Sequence, residues 1–277
     1  MSNLALRICT AVVGAAVFGF MLFYRYETFA ILFMVLNLLA LKEFYRLLIQ
    51  RFKTEEGEPM QNKTASTTYF LSGTLLYLLV LLSVFFSPWF MLAFGMLLIY
   101  FTVQHQKSKK EKIDINLAYK MIGWIYITWP FIIVSFIAFY NNEGLFQPVN
   151  VLGIFLLIWC NDVFAYFIGK RFGKTPLASK ISPKKTVEGF MGGLLGSILI
   201  SVALMVALPE WGMHWLVLGV IVGLIGPLGD LLESVLKRKA GLKDSGRILP
   251  GHGGVLDRFD AFLLATPFVF LYLLWMV

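Results

Sequence analysis

Residues Val149 to Gly169 read VNVLGIFLLIWCNDVFAYFIG, an unbroken apolar run with a single charge at Asp162. Coiled as a helix at 1.5 Å per residue, such a run crosses the roughly 30 Å hydrocarbon core of a bilayer. Its residues do not alternate as a barrel strand's would, and lipid offers the backbone no partner outside its own segment, so the run is read as a helix. Similar runs begin near Ile8, Thr28, Thr68, Trp89, Met121, Gly189, Gly212 and Phe259, which gives about nine spans. The fold class expected is therefore all-α, a polytopic integral membrane protein.

Composition agrees. The chain of 277 residues is 58% hydrophobic and 14% charged, with a mean hydropathy of +0.77, more apolar than a soluble domain hides in one core. A formal charge of +8 would suit nucleic acid, but the bases sit in short loops where the positive-inside rule accounts for them, which argues against that partner. Those loops are Arg46 to Lys63, Lys107 to Lys120, Lys170 to Lys185 and Lys237 to Arg258, all expected on the cytoplasmic face of the cell's inner or plasma membrane. The connections at Ser87-Pro88, Asn141 to Glu143 and Pro209-Glu210 carry no base; Arg25 is the one dissenter. Cys9 and Cys160 lie inside apolar runs and give neither a disulfide framework nor metal-ligand spacing. The first run is span-length, with no small-residue cleavage site after it, and is read as an uncleaved helix.

Charged residues inside such runs point to function, because a carboxylate in hydrocarbon is costly. Asp162 lies about two helical turns before the basic loop at Lys170, and Asp230 about two turns before Lys237. Both spans run from outside to inside, so the two acids reach similar depth and could share a cation. Glu188 opens the next span from the same side, while Asp257 and Asp260, three apart on one helical face, open the last. Hard cations such as Mg²⁺ take carboxylate oxygens together with water and phosphate, so acids mixed with bases suit a metal–polyphosphate complex. Taken singly, Glu188 or Asp260 reads equally well as a helix-end ion-pair partner.

Three further features frame these acids. Gly226-Pro227 with Gly229 is expected to break or bend its helix beside Asp230 and free backbone carbonyls there. In KRFGKTPLASKISPKKTVEG, residues 170–189, Ser182-Pro183 resembles a helix N-cap with proline at the first position, flanked by Lys184 and Lys185 as an anion site. In the last loop Lys237, Arg238, Lys243 and Arg247 precede Pro250-Gly251-His252-Gly253-Gly254, where glycines would admit phosphate oxygens to backbone N–H groups. His252 could donate to a phosphate, or serve only a local hydrogen bond. Gly192, Gly193 and Gly196 form a small-residue seam, within the chain or between copies, which leaves homo-oligomerisation open.

The run Ser234-x-Leu236-Lys237-Arg238-x₄-Lys243-Asp244-x-Gly246-x-Ile248-Leu249-Pro250-Gly251-His252-Gly253-Gly254-Val255-x-Asp257-Arg258-Phe259-Asp260 resembles the signature of phosphatidate cytidylyltransferases, the CDP-diacylglycerol synthases. Asn161-Asp162, Ala165-Tyr166, Phe172-Gly173-Lys174 and Ser182 through Gly189 are similar to that family as well. The likeness covers the C-terminal half by motif and the N-terminal spans by hydropathy. Val187 stands where the family often has Trp and Lys170 where Arg is common; neither change removes a charge or a candidate ligand.

The resemblance implies cytidylyl transfer from CTP to phosphatidic acid, with Mg²⁺ as cofactor, a second cation left open, and membrane lipid as surroundings. It divides one domain, 1–277, into N-terminal helices (1–148) and catalytic helices and loops (149–277). Metal binding falls to Asp230 and Asp257, with Asp162, Glu188 and Asp260 directly or indirectly involved. Lys237, Arg238, Lys243, Lys184 and Lys185 hold phosphates; Ser182 and His252 orient them; Ser234, Asp244, Gly253, Gly254 and Arg258 complete the substrate site. The rival readings are a related CTP-dependent enzyme acting on another lipid phosphate or alcohol, and a cation-coupled lipid transporter, which would need polar sites on both faces.

Overall fold

The computed structural model describes residues 3–55, 73–75, 77–78, 121–141, 144–179, 181–246, 248 and 253–276. Helices dominate: α1 (Asn3–Phe23), α2 (Tyr26–Glu55), a π-helical turn Trp124–Thr128 running into α3 (Trp129–Ile137), α4 (Pro148–Phe172), α5 (Val187–Ala207), α6 (His214–Lys239) and α7 (Leu256–Met276). Five helical segments, Tyr26–Gln50, Pro148–Phe172, Val187–Ala207, His214–Lys239 and Leu256–Met276, are long and apolar enough to span a bilayer. The protein is an all-α polytopic membrane protein. The apolar runs at Ile8, Thr28, Met121, Val149, Gly189, Gly212 and Phe259 all fall on these helices; those at Thr68 and Trp89 lie outside the described residues.

α4, α5 and α6 pack closely, and glycines decide how closely. A Cβ at Gly192 would come within 2.6 Å of Ile168, one at Gly196 within 2.6 Å of Phe164, and one at Gly193 within 3.0 Å of the Asn161 carbonyl oxygen. In lipid, helix association rests on such close contact rather than on expelling water, so small residues set the seam. Gly192, Gly193 and Gly196 thus face α4 of the same chain.

An aromatic cluster ties the N-terminal helices to this block. Phe155 of α4 stacks on Phe262 of α7 with centroids 5.1 Å apart and lies 6.3 Å from Phe33 of α2, while Phe131 of α3 contacts Phe33 and Phe262. Each such pair contributes about 0.5–1.5 kcal/mol beyond its buried area.

Two local expectations are corrected. Residues 182–186 are not the start of a helix: Ser182–Thr186 is strand β2, antiparallel to β1 (Pro176–Ala178). Proline disfavours helical geometry at the residue before it, which keeps Ser182 extended. The cap is Thr186, extended at φ −120°, ψ 154°, whose Oγ1 accepts from Gly189 N at 3.1 Å. Nor is α6 broken at Pro227, one of the two outcomes expected there; the helix runs on to Lys239. Proline has no N–H for the carbonyl four residues back, that of Gly223, and Asn161 Nδ2 donates to that oxygen at 3.4 Å instead. Asn161 is 3% exposed and also bonds Ser197 Oγ at 3.1 Å, so one amide links α4, α5 and α6.

Candidate active site

The outward face of α4, the hairpin, the start of α5 and the middle of α6 enclose a cavity of about 600 Å³. Asp162, Tyr166 and Lys170 follow one another along α4 at helical spacing and form one wall; β2 supplies Ser182, Lys184 and Lys185; α6 supplies Pro227 and Asp230. Lys185 Nζ forms an ion pair with Asp230 Oδ2, and Ser234 Oγ, one turn along α6, donates to Asp230 Oδ1 at 3.3 Å. Asp162, Asp230 and Asp260 lie near enough to repel one another, with Lys185 and Arg258 as compensating charges. The hairpin therefore brings bases to the acids that the spans hold at membrane depth.

A second polar group lies on the α6–α7 side. Lys237 Nζ bridges Glu233 Oε2 at 2.8 Å and Asp257 Oδ1 at 2.6 Å, with Glu233 fully buried. The other oxygen of Asp257 accepts from Ser245 N at 3.0 Å, Ser245 Oγ at 2.9 Å and Gly254 N at 2.9 Å. Gly253, at φ 86°, adopts the left-handed conformation that glycine tolerates without strain, and so lets the loop turn into α7.

Glu43, a residue the sequence reading passed over, completes this group. It projects from α2, is 3% exposed, and accepts from Val255 N at 3.2 Å, Leu256 N at 2.8 Å and Ser245 Oγ at 3.0 Å. Val255 immediately precedes α7 and Leu256 opens it, where N–H groups have no partner within the helix. Gly246 and Gly254 make room for it, since a Cβ on either would land inside the Glu43 carboxylate. The loop glycine Gly254 thus serves internal acceptors: its N–H goes to Asp257 and its open face to Glu43.

The remaining predicted residues separate by place. Glu188 stays at the start of α5, where its carboxylate accepts from Lys174 N at 3.0 Å and from Thr175 N and Oγ1, anchoring the turn before β1. Arg238, in the last turn of α6, and Lys243 and Asp244 just beyond it lie exposed; an Arg238 Nη1 proton goes to the Leu242 carbonyl at 3.4 Å. Arg258 is on the exposed side of α7. His252, with Arg247, Pro250 and Gly251, lies outside the described residues.

Among the described residues no three Asp, Glu, His or Cys side chains form a metal cage by themselves. Mg²⁺ commonly takes one or two carboxylates and completes its shell with water and substrate phosphates. Asp162 and Asp230, held in mutual repulsion at the cavity wall, fit that donor set. Asp230 would have to give up Lys185 and Ser234 to a cation, whereas Asp257 and Glu188 fit less directly, because backbone amides as well as side chains already occupy their oxygens.

The sequence matches the model of the cytidylyltransferase family over residues 5–276. The chain belongs to the cytidylyltransferase family. A phosphatidate cytidylyltransferase of Staphylococcus aureus (strain COL) is 33% identical over 273 residues, covering 94% of this chain and 95% of that protein. Proteins of the same name from Staphylococcus epidermidis and Staphylococcus saprophyticus are 42% identical over 138 residues and 40% over 154. Family membership makes the protein an enzyme, a nucleotidyltransferase. It also extends the likeness seen in residues 161–260 across the N-terminal helices and removes the transporter reading.

Proposed function

We propose that the protein transfers a cytidylyl group from CTP to phosphatidic acid, giving CDP-diacylglycerol and pyrophosphate for phospholipid synthesis. The observation that carries this reading is the cavity itself, lined by Lys184 and Lys185 from β2, Asp162 from α4 and Asp230 from α6. Its α4 wall is the outward face of the bundle, where Val163, Tyr166 and Phe167 are 50%, 61% and 64% exposed. A lipid phosphate can therefore approach from the side while its acyl chains stay in the bilayer.

The phosphate monoester of phosphatidate is already an anionic nucleophile. One of its oxygens attacks the α-phosphorus of CTP, a new P–O bond forms, and the bond to the bridging α–β oxygen breaks, releasing pyrophosphate. In-line transfer of this kind needs positioning and charge neutralisation rather than a covalent enzyme intermediate. Lys184 and Lys185 neutralise phosphate oxygens, and Lys185 can exchange Asp230 for a phosphate as substrate binds. Mg²⁺ would be held by Asp162 and Asp230, with Asp260 beside them, and would supply further neutralisation of the polyphosphate. The basic loops 170–185 and 237–258 leave α4 and α6 at the same end, which supports a site facing the cytoplasm.

The test is turnover by purified protein in liposomes with α-labelled CTP, phosphatidic acid and Mg²⁺. Label entering lipid with release of pyrophosphate, both lost with EDTA, supports the reading; label entering lipid from γ-labelled CTP alone would replace it with phosphoryl transfer to a lipid alcohol.

A further inference from the structure

Four groups in the 245–256 segment meet two carboxylates from different helices. Asp257, on α7 itself, takes Ser245 N and Gly254 N; Glu43, from α2, takes Val255 N and Leu256 N. The Ser245 hydroxyl stands between them, 3.0 Å from Glu43 Oε2 and 2.9 Å from Asp257 Oδ2. It has one proton to give, so the other described bonds to Glu43 come from backbone amides, and those to Asp257 from backbone amides and Lys237 Nζ. Glu43 is separated from these partners by 202 to 213 residues in sequence. Among the described residues, the groups bonded to it are two backbone amides and a shared hydroxyl, which suits an acceptor-only group.

What Glu43 holds is the start of α7, and α7 carries Asp257, Arg258 and Asp260. An anion at a helix N-terminus satisfies orphan N–H groups and complements the helix dipole. Supplied from another helix, it also fixes where that terminus sits. Asp257 in turn fixes Lys237 on α6 at 2.6 Å, so a shift of the loop would move both.

We infer that Glu43 is a positioning residue for cytidylyl transfer: its carboxylate latches Ser245 and the Val255–Leu256 entry to α7 onto α2, setting the placement of Asp257 and Lys237. The inference rests on the functional reading above and names a residue outside the cavity, acting through Ser245 and the amides of Val255 and Leu256.

The experiment uses the full-length protein in liposomes and the variants Glu43→Gln, Ser245→Ala and the double variant. The Gln side chain keeps the volume but turns an NH₂ toward groups that are themselves donors. Turnover is expressed per folded molecule, counted by monodisperse elution, and trypsin cleavage after Lys243 reports loop release. Glu43→Gln is expected to lower kcat about 10–100-fold, as for a displaced catalytic geometry. The double variant should lose little more than Glu43→Gln alone, because both changes open one latch. Faster cleavage after Lys243 should accompany the loss. Unchanged kcat per folded molecule in Glu43→Gln would overturn the inference, as would multiplicative losses with unchanged cleavage. Should Glu43→Gln not fold, Ser245→Ala alone carries the test through the same two readouts. A wild-type protein without cytidylyl transfer would overturn the functional reading instead, and the cleavage comparison would still decide the latch.

Discussion

Lys185, from a two-stranded hairpin, pairs with Asp230, from the middle of an apolar helix. The two side chains are 26% and 38% exposed, so solvent screens the pair and it contributes at most about 1 kcal/mol to stability. Its value is chemical, since it keeps a base beside an acid where substrate phosphate is proposed to bind. Asp230→Asn is expected to abolish turnover, and Lys185→Met to lower kcat/KM for CTP by about 10²-fold or more, with unfolding midpoints close to wild type in both. Wild-type turnover in Asp230→Asn would remove that carboxylate from the reaction.

Lys237 presents the opposite balance. It sits 12% exposed between the carboxylates of Glu233 and Asp257, and removing it strands two buried charges at a cost of about 3–5 kcal/mol. Lys237→Met should therefore be inactive and markedly less stable to denaturant. Adding Glu233→Gln should recover part of the stability without the activity. If the second change destabilises further, the two charges do not share the lysine as described.

Asn161 and Pro227 form a testable couple. Asn161→Ala leaves the Gly223 carbonyl and Ser197 without that amide, which costs about 1–3 kcal/mol. Pro227→Ala restores the helix's own donor to Gly223, so the double variant should be more stable than the sum of the single effects allows. Strict additivity in denaturation measurements would show that the amide does not compensate the proline.

The α4–α5 seam separates glycines that matter from glycines that do not. Gly192→Ala forces a Cβ against Ile168 and should cost about 1–3 kcal/mol. Gly14→Ala in α1 meets nothing within 4 Å and should be neutral or stabilising by roughly 0.5–1 kcal/mol through helix propensity. Comparing their thermal midpoints in one detergent checks both.

Much of this was legible because lipid punishes charge. Asp162 and Asp230 stood out as acids inside apolar runs, and both line the same cavity. The hairpin was misread because Ser182-Pro183 and Thr186 both offer capping chemistry, and only the pairing of 176–178 with 182–186 selects the second. The continuity of α6 depends on an amide 62 residues away from the carbonyl it satisfies, a relation with no local signature. Glu43 was hidden for the same reason: beside Lys42 at the end of an apolar run, it looks like half of a surface pair.

The bonds Glu43 makes to Val255 and Leu256 are to main-chain amides, and every non-proline residue offers the same one. Positions 255 and 256 can therefore drift among apolar side chains with no matching change at 43, so paired substitutions across related chains would leave no trace of this contact. Among the described residues, the positions that register its presence by identity are a hydroxyl at 245 and the absence of a side chain at 246 and 254. Grafting this loop onto another member of the family would thus succeed or fail on a residue two hundred positions upstream that no alignment of the loop contains.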